Sequence, residues 1–208
     1  MSLRLFVVRH GATEWSQARR FAGWQDIPLS ETGRRQCEAI AQALAGSAPA
    51  AVWASPLERA RVSAEVIAKP HRQAVGLEAA FREMGFGRWE GLTREEVAAQ
   101  FPQDSNLWRT TPERFTPPGG ESLVAVAERV ARGLDELRAE HDGATVILVT
   151  HAIVTRLLVL GALGLGPDRL WAVDASPAGI SELEYQDDWV TVHRMNTMAH
   201  LDGLGEPA

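Results

Sequence analysis

The chain has 208 residues, of which 45% are hydrophobic, and its formal net charge is −6 at pH 7. This length and apolar content suffice for one substantial core and no linker-like segment interrupts them, so we predict a single domain over 1–208 with a loose tail over 198–208. The acidic balance argues against nucleic acid as a partner, and any anion site must therefore be a local cationic pocket.

The cysteine content and the length of the apolar runs exclude further classes of protein. Cys37 is the only cysteine, so a disulfide within the chain is excluded. No cluster of cysteine, histidine and acidic residues has metal-ligand spacing, and we predict neither a metal nor a cofactor. The chain starts directly with an apolar strand rather than a secretory signal, and its longest apolar run, 157–166, is about half of the roughly 20 residues that cross a membrane. We expect a cytoplasmic protein without membrane contact.

The first predicted element is a buried strand over residues 3–8, followed at once by Arg9, His10 and Gly11. Ligands of open α/β sheets bind at the carboxyl ends of strands. A glycine there permits a tight turn and a close approach of the backbone. The position of the arginine and the histidine therefore predicts an anion site.

A second strand is predicted to run into a helix around Ser55. We expect Ser55 at the N-cap, Pro56 at the first helical position and Glu58 completing a capping box, with the helix reaching about Lys69. Arg59 then lies in the first turn of that helix. The helix dipole and the guanidinium would both favour an anion at this place.

Strand and helix signals alternate through the rest of the chain. In order, they predict a helix capped by Ser30 and reaching about Leu44, a strand at 75–77, a helix after Ser122 with its apolar face at 123–137, a strand at 146–150, a helix at 153–160, and a hairpin of 181–185 and 189–195 that turns at Asp187-Asp188. The fourth strand ends in His151, much as the first ends in His10. We therefore predict an α/β fold, a three-layer α/β/α sandwich around a mostly parallel sheet.

Five motifs resemble, in order, those of the histidine phosphatase superfamily, also called the phosphoglycerate mutase-like family. They are Arg9-His10-Gly11-Ala12-Thr13, Ser55-Pro56-Leu57-Glu58-Arg59-Ala60, Phe81-Arg82-Glu83-Met84-Gly85-Phe86-Gly87-Arg88-Trp89-Glu90-Gly91, Pro117-Pro118-Gly119-Gly120-Glu121-Ser122 and Val149-Thr150-His151. The resemblance spans nearly the whole chain. It implies the phosphoglycerate mutase-like fold and a phosphohistidine enzyme of the small phosphatase branch.

By this resemblance, His10 is the nucleophile that accepts the phosphoryl group, and Glu83 donates the proton to the leaving group. Arg9, Arg59 and His151 bind the phosphate, with His151 part of the catalytic set, and further phosphate contacts fall on Ser16, Gly23 and Ala152. The match departs from the family at Ala12, where a glutamate is frequent, and at Ser16, where an asparagine is common. The second departure puts the phosphate contact of Ser16 in question.

The residue types suit this chemistry. A neutral imidazole can attack phosphorus in line, and nearby arginines disfavour the imidazolium while stabilising the equatorial oxygens of the transition state. The leaving alkoxide needs a proton, which a glutamate supplies only if its pKa is raised. Spacing does not identify which of five neighbouring carboxylates donates the proton. Only the family pattern selects Glu83. The five are Glu78, Glu83, Glu90, Glu95 and Glu96.

Within the family, the choice lies between a phosphatase and a cofactor-dependent phosphoglycerate mutase. Residues 20–26 resemble larger mutases, but the interval 92–118 holds only Arg94, Arg109 and Arg114 as cations and lacks their basic insertion. We therefore favour hydrolysis of a small-molecule phosphate monoester, with broad specificity or an α-ribazole phosphate-like substrate. A non-catalytic module that binds a phosphorylated ligand or a protein partner stays an alternative, and a homodimer stays open.

Aromatic residues are frequent in the segments expected to surround the site. They are Trp15, Phe21, Trp24, Trp89 and Trp108. At the rim of a site these side chains would favour apolar or aromatic esters as substrates, although packing in the core explains each of them equally well.

Overall fold

The computed structural model describes residues 2–204 and contains one six-stranded sheet. Its strands are β1 (Ser2–Arg9), β2 (Ala51–Ala54), β3 (Val75–Leu77), β4 (Ala144–Thr150), β5 (Ile180–Gln186) and β6 (Trp189–Thr197). They lie in the order β3-β2-β4-β1-β5-β6. The strands β1 to β4 run parallel to one another, whereas β5 runs antiparallel to β1 and forms an antiparallel hairpin with β6 at one edge. The predicted mostly parallel sheet is therefore confirmed.

Helices cover both faces of the sheet. They are α1 (Glu14–Gln17), α2 (Glu31–Ala43), α3 (Glu58–Ala68), α4 (Arg94–Gln100), α5 (Pro102–Thr110), α6 (Leu123–Glu140) and α7 (Ala152–Ala162). Alternate residues of β1 explain the two layers, because successive side chains of a strand point to opposite faces. Leu5 and Val7 belong to the core cluster that includes α6 and α7, while Phe6 and Val8 belong to the cluster that includes α2 and α3. This is the predicted three-layer sandwich.

Two helix starts agree with their sequence signals. Ser30 caps α2 by accepting a hydrogen bond from the amide of Gly33, and Ser122 caps α6 in the same way. Of the apolar positions predicted for α6, Leu123, Val126, Val130 and Leu137 are buried, and Leu134 is partly buried against the same core. The turn at 187–188 joins the hairpin strands β5 and β6, also as predicted.

The predicted capping of α3 is wrong. The helix begins at Glu58, its N-cap is Leu57, and no side chain accepts a hydrogen bond there. The hydroxyl of Ser55 instead accepts from the amide of Leu57 at 3.3 Å and bonds the Nε2 atom of His151 at 2.7 Å. Arg59 still lies in the first turn, so the expected position of its guanidinium does not depend on the cap.

The carboxyl ends of β1, β4 and β2 lie side by side, because these strands are neighbours in the sheet and run in the same direction. Arg9 is in register with Thr150, and Ala54 is in register with Val149. The residues that follow these strands therefore meet at one edge of the sheet.

The last described residues pack against the body of the protein. Residues 199–201 form a short 3-10 turn in which Nε2 of His200 donates to the carbonyl of Ala178, and Leu201 packs against the core cluster of α2 and α3. Residues 205–208 of the expected loose tail lie outside the described residues. Over residues 2–204, no helix is both long enough and apolar enough to cross a bilayer.

Candidate active site

A cavity of about 530 Å³ opens at the edge where β1, β2 and β4 end. Seven of the eight residues predicted for the site line it, namely Arg9, His10, Ser16, Gly23, Arg59, Glu83 and Ala152. The eighth, His151, lies beside His10, with the two ring centroids 5.1 Å apart, and its side chain is fully buried. The structure thus brings together residues that are up to 143 positions apart, from Arg9 to Ala152 (152 − 9).

His10 is held as a neutral imidazole with a defined tautomer. Its Nδ1 atom lies 2.7 Å from the carbonyl oxygen of Gly11. A carbonyl only accepts hydrogen bonds, so Nδ1 carries the proton and Nε2 has a free lone pair. Burial, and then the guanidiniums of Arg59 and Arg9, lower the pKa of His10 well below its ordinary value. The side chain is therefore uncharged at neutral pH, and its Nε2 atom could act as a nucleophile.

The backbone of Gly11 packs closely on α2, and this packing fixes the carbonyl group that His10 contacts. A Cβ atom at this position would lie 2.4 Å from the carbonyl oxygen of Gly33, which is backbone and cannot move aside easily. Any larger residue at position 11 would therefore displace the carbonyl that orients the imidazole.

Two arginines are anchored by carbonyl groups beside His10. Arg59 donates from Nη1 to the carbonyl of Gln25 at 2.7 Å and from Nη2 to that of Gly23 at 2.8 Å. Arg9 donates from Nη1 to the carbonyl of Ala175 at 2.6 Å. Burial lowers the pKa of Arg9 to about 10, so the guanidinium is still a cation at neutral pH.

Three buried nitrogen atoms around the cavity have no hydrogen-bond partner among residues 2–204. They are Nε of Arg9, Nε of Arg59 and Nδ1 of His151. When the Ser55 hydroxyl donates to Nε2 of His151, Nδ1 of that ring carries a proton and becomes a donor. A buried donor without an acceptor costs about 1–3 kcal/mol, so three on converging residues indicate a site that is built for an anion.

Glu83 supplies a buried carboxyl group. Its side chain accepts a hydrogen bond from the amide of Met84 at 2.9 Å. Burial raises the pKa of this carboxyl, while the Met84 amide and the nearby cations oppose the change. Of the five glutamates that spacing left open, Glu83 is the one that lines the cavity within the described part of the chain. It can therefore hold a proton at a higher pH than an exposed glutamate.

Arg129 on α6 holds the Glu83 segment, and sequence analysis missed it. Its guanidinium donates to the carbonyls of Ala80 at 2.6 Å, Arg82 at 2.7 Å and Glu83 at 3.0 Å. It also pairs with both carboxylate oxygens of Glu121, at 3.1 and 2.9 Å. A charged residue on the partly exposed side of an amphipathic helix gives no sequence signal for this role.

Arg156 and Asp174 are further cavity residues that sequence analysis missed. Arg156 lies one turn after Ala152 on α7, a spacing that could have indicated it. Its Nη2 donates to Asp174 at 3.0 Å, and its other bonds go to the carbonyls of Leu170 and Val173. It therefore fastens the segment before β5 to α7.

The weaker site predictions have mixed outcomes. The Ser16 hydroxyl donates to the carbonyl of Thr13 at 2.9 Å and accepts from its amide at 2.8 Å, so its proton is already used in capping α1. Gly23 has a φ of +49°, and its carbonyl accepts from Arg59. The predicted phosphate contacts of Ser16 and Gly23 stay predictions.

Only some of the aromatic residues expected around the site line the cavity. Phe21 and Trp108 line the cavity, whereas Trp89 is fully buried in the core. Trp24 is exposed and donates from Nε1 to the carbonyl of Glu83 at 2.9 Å. Trp171, which the sequence did not indicate, lines the cavity.

A cavity at the strand ends of an open α/β sheet that combines a neutral imidazole, buried guanidiniums and a carboxyl of raised pKa is typical of a phosphoryl-transfer enzyme. The sequence model of the histidine phosphatase superfamily (branch 1) matches residues 5–198, and the chain belongs to this superfamily. The resemblance stated from the motifs is thereby confirmed.

Individual relatives agree with this family. The chain is 31% identical over 199 residues to phosphoserine phosphatase 1 of Hydrogenobacter thermophilus, covering 96% of this chain and 94% of that protein. It is 31% identical over 210 residues to the probable phosphoglycerate mutase GpmB of Photorhabdus laumondii, covering 96% and 95%. The solved structure of mycobacterial glucosyl-3-phosphoglycerate phosphatase with VO3 superposes with a TM-score of 0.86 at 29% identity, covering 94% and 99%. The family and its phosphatase members support a phosphomonoesterase.

Proposed function

We propose that this protein hydrolyses small phosphate monoesters in two displacements, with a phosphohistidine on His10 between them. The observation that carries the proposal is the free lone pair on Nε2 of His10, set by the 2.7 Å contact of Nδ1 with Gly11. Arg9 and Arg59 line the same cavity and provide positive charge beside the attacking atom.

In the first displacement, Nε2 of His10 attacks phosphorus and the bond from phosphorus to the ester oxygen breaks. The electron pair of that bond goes to the ester oxygen, which takes a proton from Glu83 and leaves as the alcohol. Arg9, Arg59 and His151 donate to the equatorial oxygens, where negative charge is spread in the transition state. The raised pKa of Glu83 is what keeps this proton available.

In the second displacement, water attacks the phosphohistidine. The carboxylate of Glu83 takes a proton from the water, the bond between phosphorus and Nε2 breaks, and its electron pair returns to the imidazole. Inorganic phosphate then leaves, and both His10 and Glu83 are in their starting forms. Dividing the reaction in this way replaces one difficult step by two easier ones.

We propose water rather than a second alcohol as the acceptor. A mutase must keep its product bound and exclude water from the phosphohistidine. Here the cavity residues Arg94 and Trp171 are exposed, so solvent reaches the outer part of the site. The segment between Glu83 and α6 is also short and lacks the basic insertion by which larger mutases bind a second acidic group.

The test is phosphate release from p-nitrophenyl phosphate in excess EDTA, for the wild type, His10→Ala and His193→Ala. His193 is a matched control because it lies on β6 and pairs with Glu184, outside the cavity. We expect metal-independent release that only His10→Ala abolishes. Absence of release, together with transfer between 3-phosphoglycerate and its bisphosphate, would favour the mutase. Absence of both activities would favour a binding module.

A further inference from the structure

A second pocket of about 360 Å³ lies next to the active-site cavity. The two share four lining residues, namely Phe21, Arg94, Trp108 and Trp171. The remaining lining of the second pocket is formed by Trp89, Val97, Ser105 and Arg109 from α4, α5 and the segment before them. A largely apolar space thus adjoins the site where phosphate is expected to bind.

Trp171 lines both spaces and is held by several contacts. The residue is 40% exposed, so part of it is open to contact with a ligand. One face lies under the guanidinium of Arg156 at 5.3 Å, and its edge meets Trp108 at 5.2 Å and 90°. Its Nε1 atom donates to the carbonyl of Trp108 at 3.1 Å. A partly exposed ring that Arg156 and Trp108 already hold loses little entropy when a ligand packs against it.

Resting on the proposed function, we infer that the second pocket receives the alcohol part of the substrate, and that the preferred substrates are phosphate monoesters of aromatic alcohols. The phosphoryl group would lie among Arg9, Arg59 and His10, and the aromatic group would pack between Trp171, Trp108 and Phe21. Aromatic rings pack edge to face in such settings, as Trp108 and Trp171 already do.

The pocket's composition favours this occupant over a second anionic group. Its cations, Arg94 and Arg109, are exposed residues of α4 and α5, where water competes for an anion. The aromatic side chains form the inner wall. Recognition of a carboxylate by Arg94 is therefore the alternative outcome of the test.

The test compares kcat/KM for 2-phenylethyl phosphate and ethyl phosphate. Both esters release a primary alcohol, so the ratio reports the contact with the phenyl ring rather than the ease of bond cleavage. For the wild type we expect a ratio of at least about ten, the effect of burying a phenyl group in an apolar site. Trp171→Ala should lower this ratio by about tenfold, and Trp171→Phe should keep most of it.

A second variant tests the pocket without removing any contact of Trp171. Ser105 lines the second pocket but not the active-site cavity, and Ser105→Phe would fill the pocket from the α5 side. We expect this substitution also to lower the ratio. Trp189→Ala is the matched control, because Trp189 is 72% exposed on β6 and lines neither space, and it should leave the ratio unchanged.

The outcomes separate the two proposals. Equal kcat/KM for the two esters in the wild type, or a ratio that neither Trp171→Ala nor Ser105→Phe changes, would overturn the pocket inference while hydrolysis itself stands. A preference for O-phosphoserine that Arg94→Ala removes would also overturn it, in favour of a carboxylate. No hydrolysis of any ester and no phosphoryl label on His10 would overturn the proposed function and the inference together.

Discussion

His10 donates from Nδ1 to the carbonyl oxygen of Gly11, its neighbour in the chain, over 2.7 Å. The contact selects one tautomer, and burial beside Arg59 and Arg9 keeps the ring neutral by lowering its pKa. His151 is buried next to it and has a lowered pKa for the same reasons. Two buried neutral imidazoles have a consequence for stability as well as for catalysis.

Stability should fall in mild acid because of these histidines. An unfolded histidine takes up a proton near pH 6.5, whereas the folded His10 stays neutral there, so the unfolded state binds more protons below that pH. The free energy of unfolding then decreases as pH falls from about 6.5, by up to about 1.4 kcal/mol per pH unit for each such histidine. Urea unfolding between pH 7 and 5 should show a shallower decrease for His10→Gln than for the wild type or His193→Gln. An unchanged slope in His10→Gln would contradict the neutral state.

Arg59→Ala should lower kcat/KM for p-nitrophenyl phosphate by about one to two orders of magnitude. A charge-assisted hydrogen bond to phosphate contributes about 1.5–3 kcal/mol, and Arg59→Lys should recover little because lysine lacks the planar fork. Arg61→Ala is the control, since Arg61 lies on the same helix but is paired with Glu65 on the surface. A loss below twofold for Arg59→Ala would remove it from the phosphate site.

Glu83→Gln should lower kcat by about 10²–10⁴-fold for ethyl phosphate and much less for p-nitrophenyl phosphate, because nitrophenolate leaves without a proton. Since only the protonated carboxyl is active in the first displacement, the wild-type rate should decrease as pH rises through the raised pKa of Glu83. The optimum is therefore acidic to neutral. Glu95→Gln, a change on the exposed part of α4, should leave the profile unchanged. A wild-type rate that climbs steadily to pH 9 would contradict the acid role.

Arg129→Gln should lower kcat about tenfold with little change in KM, because three carbonyls of the Glu83 segment lose their donor. Arg129 also lowers the pKa of Glu83, so its removal should move the basic limb of the kcat profile to higher pH. Glu121→Gln should also lower kcat, because Arg129 loses its partner, but it should not move the limb to higher pH since the guanidinium stays. The effects of Arg129→Gln and Glu121→Gln on kcat should be less than additive in the double variant. Arg132→Gln, on the exposed side of α6, is the control. For Arg129→Gln, a lower kcat with an unmoved limb would indicate a structural role only.

The strands and most helices could be predicted because their signals are local. The apolar run of β1, the spacing of apolar residues in α6 and the Ser30 cap each report structure within a few residues. Ser55 shows the limit of such signals. Its hydroxyl bonds His151, which is 96 positions away, and no local cap pattern contains that partner.

The site residues also differ in whether a local sequence signal predicts them. His10, Arg9 and Arg59 could be placed because each lies directly after a strand or in the first turn of a helix. Arg129 could not, because its partners are carbonyls of a segment about 46 positions earlier, and any surface arginine of an amphipathic helix has the same local sequence. Trp171 lies in a short 3-10 helix without a repeating pattern.

The most direct test of the account is to trap the phosphoryl group on the enzyme. Wild-type protein is mixed with a ³²P-labelled ester, quenched within one turnover in base, and digested for mass spectrometry. We predict a label that is stable in base and lost in acid, located on His10, and missing from His10→Ala. Phosphate release without such a label, or a label on another residue, would contradict the account.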